Sequence, residues 1–300
     1  MYVVTGATGN TGSVIARTLL AKGQQVRAIG RNAEHLNALA KSGAEPFIAD
    51  VGDTAALAKA FNGAKGVYLM IPPDTKSRDA LGYEKRTAES LATALERSGV
   101  SHAVVLSSIG ADKPDKTGPV VGLHHFEQQL NRIANANILC IRAGYFMENT
   151  LAQIDIIKTQ GLAAGPLRPD LKVPMIATRD IGAFAAERLL HLDFQGHEFR
   201  ELLGNRDLSY TEVATIIGKA IGKPDLKYSQ LPDAQIRQAM VQSGMSENFV
   251  GLLLEMSASL NSGYMRALEP RTAQNTTPTS YETFVTEEFL PLYKSKLAAA

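Results

Sequence analysis

The sequence predicts an α/β fold, a doubly wound parallel sheet carrying a small, mostly helical C-terminal lobe. Three observations predict it. Short, nearly continuous apolar runs alternate with helical stretches through the first half of the chain. The first run passes straight into three evenly spaced glycines, Gly6, Gly9 and Gly12, and then into a helical pattern. After about residue 143 the alternation breaks and helical patterns dominate.

The elements follow in order. "YVVT" (2–5), "QVRAIG" (25–30), "EPFIA" (45–49), "GVYLM" (66–70), "AVVLS" (103–107) and "ILCIR" (138–142) read as strands. Apolar character without clean alternation is the mark of a parallel strand covered on both faces. Helical spacing lies between them: in 78–98, Ala88, Leu91, Ala92 and Leu95 recur at i, i+3, i+4 and i+7. Strand–helix alternation argues for a parallel sheet whose C-terminal edge binds ligands. Further on, 178–192 is helical and 197–204 is a strand. The helix over 209–222 opens with a capping-box pattern, Ser209 to Glu212. Helices are also predicted over 232–243 and 246–260, then a polar loop over 272–280 and a last helix around "YETFVTEEF". No second parallel sheet is expected in this half. The core is placed at residues 1–143 and about 178–204, the lobe at 144–177 and 205–295. "KLAAA" (296–300) reads as the scar of an expression tag, with a natural frayed tail as the alternative.

Composition narrows the function classes. The 31 Lys and Arg nearly balance the 30 Asp and Glu, so no field points to nucleic acid or an anionic membrane. A DNA-binding role is disfavoured by the absence of a basic stripe. The single cysteine, Cys140, cannot form an internal disulfide; it sits in a predicted strand, where it reads as buried and inert. No run approaches the ~18 apolar residues of a membrane span, and no signal peptide precedes the strand beginning at Tyr2. A reducing, cytoplasmic setting fits. No His, Cys and Glu set has metal-ligand spacing, so no metal is expected.

"VVTGATGNTGS" (3–13) carries the first chemistry. A glycine run between a strand and a helix is the context of a dinucleotide-binding loop, which makes the sheet Rossmann-type. Gly6 permits the sharp turn, Gly9 lets backbone approach a pyrophosphate, and Gly12 permits close helix packing. The helix N-terminus offers N–H groups and a positive dipole end; Thr8, Asn10 and Thr11 add side-chain donors. A tight turn without a ligand is the bland alternative. An NAD-specific site expects an acid about 20 residues further on. Gly30 stands there instead and Arg31 follows. A guanidinium pairs bidentately with a 2′-phosphate, so NADP(H) is expected in preference to NAD(H), with Arg27 and Asn32 as helpers. As a plain surface arginine, Arg31 would look the same. Asp50 and Val51 end strand three, where a carboxylate can accept from the adenine amino group; Asp53 is the more natural cap for the helix that follows. Ile71 and Pro72 begin a stiff loop able to wall the cofactor. Ser107 and Ser108 end strand five beside the expected nicotinamide position, where plain turn residues would look the same.

These residues, with "SS" (107–108) and above all "RAGYFMEN" (142–149), resemble the NmrA-like group of atypical short-chain dehydrogenase/reductases. "TRDIG" (178–182) and "TTPTSYETF" (276–284) extend the resemblance to nearly the whole chain. It implies a substrate cleft between core and lobe, and nicotinamide-side contacts from Tyr145, Phe146 and Asn149. Without it, Phe146 would read as core and Asn149 as a helix cap. Members divide between reductases of quinones, isoflavonoids or dyes and non-catalytic redox sensors that bind protein partners. The dividing feature is the proton donor. Related reductases carry a lysine four residues before the glutamate matching Glu127; here that position is Leu123. His124 is chemically suited to donate a proton near neutral pH, with Glu127 placed at i+3 to orient it. Both His124 and His125 also read as ordinary polar residues at a helix start. The expected activity is hydride transfer to a quinone, carbonyl or conjugated double bond of a small-molecule substrate. The alternative is a dinucleotide-binding sensor or transcriptional co-regulator. A reductase predicts an apolar cleft beside the nicotinamide; a sensor predicts a blocked cleft and an exposed apolar patch.

Overall fold

The structure is a computed structural model describing residues 1–298. Seven parallel strands form the central sheet: β1 (Tyr2–Val4), β2 (Val26–Gly30), β3 (Glu45–Ile48), β4 (Gly66–Leu69), β5 (His102–Ser108), β6 (Asn137–Ala143) and, from the second half, β10 (His197–Leu202). Their order is β3-β2-β1-β4-β5-β6-β10. Helices α1 (Asn10–Ala21), α2 (Ala33–Lys41), α3 (Thr54–Phe61), α4 (Ala80–Ser98) and α5 (Val120–Leu130) follow the first five strands in turn.

The near-continuous apolar strands split their side chains between two cores. Tyr2, Val4, Ala28, Tyr68 and Val104 face α1, α2 and α7 (Thr178–His191). Val3, Ile29, Val67, Leu69 and Val105 face α3, α4 and α5. Each buried Val or Leu contributes about 1.5–3 kcal/mol, so the sheet has no polar face to spare. One strand departs from that expectation. β3 pairs only with β2 and exposes Glu45, Pro46 and Ile48. It is an edge strand, the position at which a residue without an N–H, such as Pro46, is tolerated. Cys140 lies buried in β6, and burial pushes its thiol well above the usual range.

The lobe contains α6 (Gln153–Gln160), α8 (Tyr210–Ala220), α9 (Asp233–Gln242), α10 (Glu247–Ser262), α11 (Tyr281–Phe284) and α12 (Leu290–Ala298), with a π turn (Val285–Phe289) joining the last two. Ser209 caps α8 in the predicted reciprocal box with Glu212. The expectation of no further parallel pairing is corrected. β7 (Tyr145–Phe146) pairs in parallel with β9 (Val173–Ile176), which also pairs antiparallel with β11 (Arg206–Leu208). β8 (Ala163–Gly165) pairs in parallel with β12 (Tyr228–Gln230). These strands are too short to leave a periodic signal. Of the predicted tail, residues 299–300 lie outside the described residues. Among the described residues, no helix is long and apolar enough to cross a membrane.

Candidate active site

The strand order reverses direction at β1: β2 and β3 lie to one side, β4, β5 and β6 to the other. A crevice opens there at the C-terminal edge, the general ligand position of such sheets. Thr5 closes its floor. Its hydroxyl donates to the Tyr68 carbonyl (3.0 Å) and accepts from the Met70 N–H (3.1 Å), joining the ends of β1 and β4.

The glycine loop sits on this crevice. Gly6 has φ of +58°, a conformation that glycine adopts without steric cost. A Cβ on Gly12 would overlap the Gly6 carbonyl oxygen, so this glycine lets the helix start close against the loop. Gly9 is the N-cap of α1, and no side chain caps it. The first N–H groups of α1 are therefore left for an outside acceptor. Thr8, Gly9 and Asn10 are exposed beside them. Thr11 is different from its expected role: its hydroxyl is buried and shares a hydrogen bond with Tyr68 Oη (2.8 Å), so its side chain is not a free donor. An uncapped helix start behind an exposed, glycine-rich loop fits a dinucleotide pyrophosphate.

Arg31 is exposed at the end of β2. Arg27 and Asn32 are not available as its helpers. Arg27 is bound to Glu45 and the Ala60 carbonyl, and Asn32 caps α2 by accepting from Glu34 N. Asp50 is exposed and accepts from Gly52 N, Val51 is buried beneath it, and Asp53 caps α3. Arg31, Asp50 and Asp74 all lie near enough to act on the Tyr83 hydroxyl, which burial raises above its usual range.

Beyond the crevice lies a cavity of about 580 Å³. Ile71 and Ser107 line it from the core, and Tyr145, Phe146, Asn149, Val173, Met256, Leu260 and Met265 from the segments beyond residue 143. Pro72 is not among the lining residues; its neighbour Pro73 is. Tyr145 shares a hydrogen bond with Tyr210 Oη (3.1 Å) and another with Asn149. Burial raises its hydroxyl above the usual tyrosine range, against the effect of those two bonds.

Glu127 is not where an orienting partner for His124 would be. Arg142 holds its carboxylate in a buried bidentate pair, Nε to Oε1 at 3.0 Å and a terminal N to Oε2 at 2.6 Å. The Ser107 hydroxyl donates to the same Oε1 (2.6 Å). Burial opposes the Arg142 charge, but the Glu127 carboxylate outweighs it and raises the Arg142 pKa. Its guanidinium also stacks over Phe199 of the edge strand β10, 4.1 Å from the ring centre. Glu127 thus ties α5 to β5 and β6. His124 meets the Ala111 carbonyl through Nδ1 (2.8 Å). A carbonyl only accepts, so Nδ1 carries the hydrogen and neutral His124 has a bare Nε2. Leu123 lines the cavity; His124 does not. His125 faces Glu89 and Gln129 on the helix exterior. Among the described residues, no group of His, Cys, Asp or Glu is placed to hold a metal ion.

Sequence reasoning missed Glu84. It lies on α4 and lines the cavity, with 7% of its surface exposed. Its Oε2 is buried without a hydrogen-bond partner. Burial pushes its carboxyl up to about 8. The signal was present: Glu84 continues the apolar stripe of Ala88, Leu91 and Leu95 at helical spacing, and an acid inside such a stripe is buried.

The NmrA-like family matches residues 2–290. This chain belongs to the NmrA-like family. Over 271 residues it is 30% identical to the NAD(P)H azoreductase of Xenophilus azovorans, covering 88% of this chain and 89% of that protein. The fold superposes on the NADPH-dependent quinone oxidoreductase of Escherichia coli in complex with NADPH, with TM-score 0.82, 24% identity and coverage of 96% of this chain and 100% of that one. It also superposes on the triphenylmethane reductase of Citrobacter sp. in complex with NADP(H), with TM-score 0.77, 19% identity and coverage of 95% and 99%.

Proposed function

We propose that this NmrA-like protein is an NADPH-dependent oxidoreductase that reduces a quinone, carbonyl or conjugated double bond in a flat, apolar acceptor. The observation that carries this reading is the cavity of about 580 Å³ at the ends of β5 and β6. Its apolar lining and size suit a small aromatic molecule. A sensor without turnover has no need of such a chamber beside its dinucleotide. The azoreductase, quinone and dye-reductase names of the relatives point the same way.

When bound, NADPH supplies the hydride. The chain's residues bind and orient. The Gly6–Asn10 loop and the open end of α1 hold the pyrophosphate, and Arg31 reads the 2′-phosphate. Asp50 and Val51 border the adenine, and Ile71 and Pro72 wall the middle of the cofactor. Ser107, Tyr145, Phe146 and Asn149 border the nicotinamide. Because the Ser107 proton is held by Glu127, that hydroxyl faces the cavity with lone pairs only. A reducing compartment such as the cytoplasm suits both the cofactor and the single thiol. NADPH oxidation followed with a panel of quinones, azo dyes and aldehydes tests the reading. Tight NADPH binding with no turnover on any member would favour the sensor instead.

A further inference from the structure

Glu84 is a buried acid with no structural task that explains it. α4 and α5 press together at this point, and a Cβ on Gly122 would overlap Glu84 Oε2. The absence of a side chain at Gly122 therefore makes the space the carboxyl occupies. Among the described residues, no cation pairs with it. On α5, His124 is bonded to Ala111, His125 faces Glu89, and Glu127 is held by Arg142. On α4 itself, Arg86 pairs with Asp79, Lys85 also acts on Asp79, and Tyr83 bonds Thr87. Lys59 of α3 is exposed. At the cavity's other walls, Lys172 pairs with Glu212, Asp207 with Arg271, and Arg266 is exposed. A lone buried carboxylate is costly, and such a group neutralises itself instead.

We propose that Glu84 is the proton donor of the acceptor chamber, a neutral carboxylic acid in the chamber wall, its Oε2 tucked against Gly122, that gives its proton to the reducible C=O of the substrate. The proposal rests on the reductase reading given above. The step balances. The hydride brings two electrons to the acceptor, and NADPH is oxidised to NADP⁺. As negative charge gathers on the acceptor oxygen, its new O–H bond forms while the Glu84 O–H bond breaks. The carboxylate then regains a proton from water entering the cavity. An acid in an apolar site stays protonated at neutral pH and is strong enough to give its proton to an alkoxide. Glu84 thus takes the place in the chemistry that Leu123 leaves empty.

The test uses Glu84→Gln, a neutral isostere that cannot give up a proton. The first readout needs no turnover: carboxyl ¹³C shifts or the infrared C=O band of a protonated acid, followed against pH with NADPH bound. Wild type should show one carboxyl titrating near pH 8 that vanishes in the variant. Stability gives a second readout. The folded state holds this proton more tightly than the unfolded chain, so the wild type's advantage is full below the ordinary glutamate range. It is lost as pH rises through about 8, and the variant lacks that slope. In turnover, the variant should keep its NADPH affinity and lose at least about 10²-fold in kcat on an aldehyde. The wild-type fall in kcat/KM above pH 8 should be missing from it. Wild-type kcat in the variant, with the alkaline fall intact, overturns the donor role alone and leaves the reductase reading standing. A Glu84 already ionised at pH 6 in the ¹³C titration overturns it as well. NADPH binding with no turnover by wild type on any acceptor overturns both.

Discussion

At the phosphate end of the cleft, residues 5–13 supply nearly everything: the turn, the bare backbone and the uncapped helix start. The acceptor end is assembled from separate places. Its walls come from the ends of β5 and β6, from Glu84 on α4, Leu123 on α5, Met256 and Leu260 on α10, and Met265 beyond it. One end is made of main chain in a local motif, the other of side chains that only tertiary packing brings together. A main-chain site depends on few side chains, whereas a site of packed side chains depends on every wall that supplies one.

Four substitutions break or sharpen this contrast, in descending order of effect. Glu127→Ala strips Arg142 of its buried partner at the acceptor end, and removing one member of such a pair costs about 3–5 kcal/mol. Denaturant unfolding should show that loss, accompanied by weaker packing of α5; a change under about 1 kcal/mol would mean that water replaces the carboxylate at no great cost. Gly9→Val acts at the other end and on binding alone. A Cβ there meets only the Gly6 carbonyl, at 3.3 Å, so the fold survives while a β-branched side chain fills the pyrophosphate approach. Loss of NADPH affinity on the order of 100-fold, about 2.8 kcal/mol, with unchanged melting temperature is expected; full binding by the folded variant would remove the phosphate-loop reading. Arg31→Ala should cost roughly 1.5–3 kcal/mol of NADPH binding, the range for hydrogen bonds to a charged group, and leave NADH binding alone. Titration of both cofactors decides it, and equal losses would show that Arg31 does not discriminate between them. His124→Ala should do least. It removes one bond to the Ala111 carbonyl, about 0.5–1.5 kcal/mol of stability, and should leave aldehyde reduction near the wild-type rate. A large rate loss would return the donor role to His124 and end the contrast with Glu84.

Legibility in the sequence follows the same division. The glycine loop, the parallel strands and the Ser209 cap depend on neighbours within a few residues, and each was readable. Thr11 was misread because its partner, Tyr68, is on β4, far from α1 in the sequence. Arg27 was misread for the same reason: its ties to Glu45 and Ala60 belong to β3 and α3. For Glu127, i+3 spacing suggested His124, but a buried guanidinium from β6 offers two charge-assisted bonds and takes the carboxylate. Glu84 left a local trace, an acid in an apolar helical stripe. What it faces is a glycine in a different helix, Gly122, and helical spacing carries no information about that. The short strands of the lobe stayed invisible because segments of two to four residues, such as β7 and β9, have no period to detect.

The position of Cys140 has a practical consequence. The chain's single thiol is buried between the main sheet and the α3–α5 layer, and burial favours its protonated form. Thiolate is the reactive species, so an alkylating reagent can label this protein only while β6 is pulled out of the sheet. Labelling therefore counts openings of the region around β6, with no engineered probe needed. A reagent-independent labelling rate at high reagent concentration would be the opening rate itself. Its slowing by saturating NADPH would measure how firmly the cofactor locks the sheet.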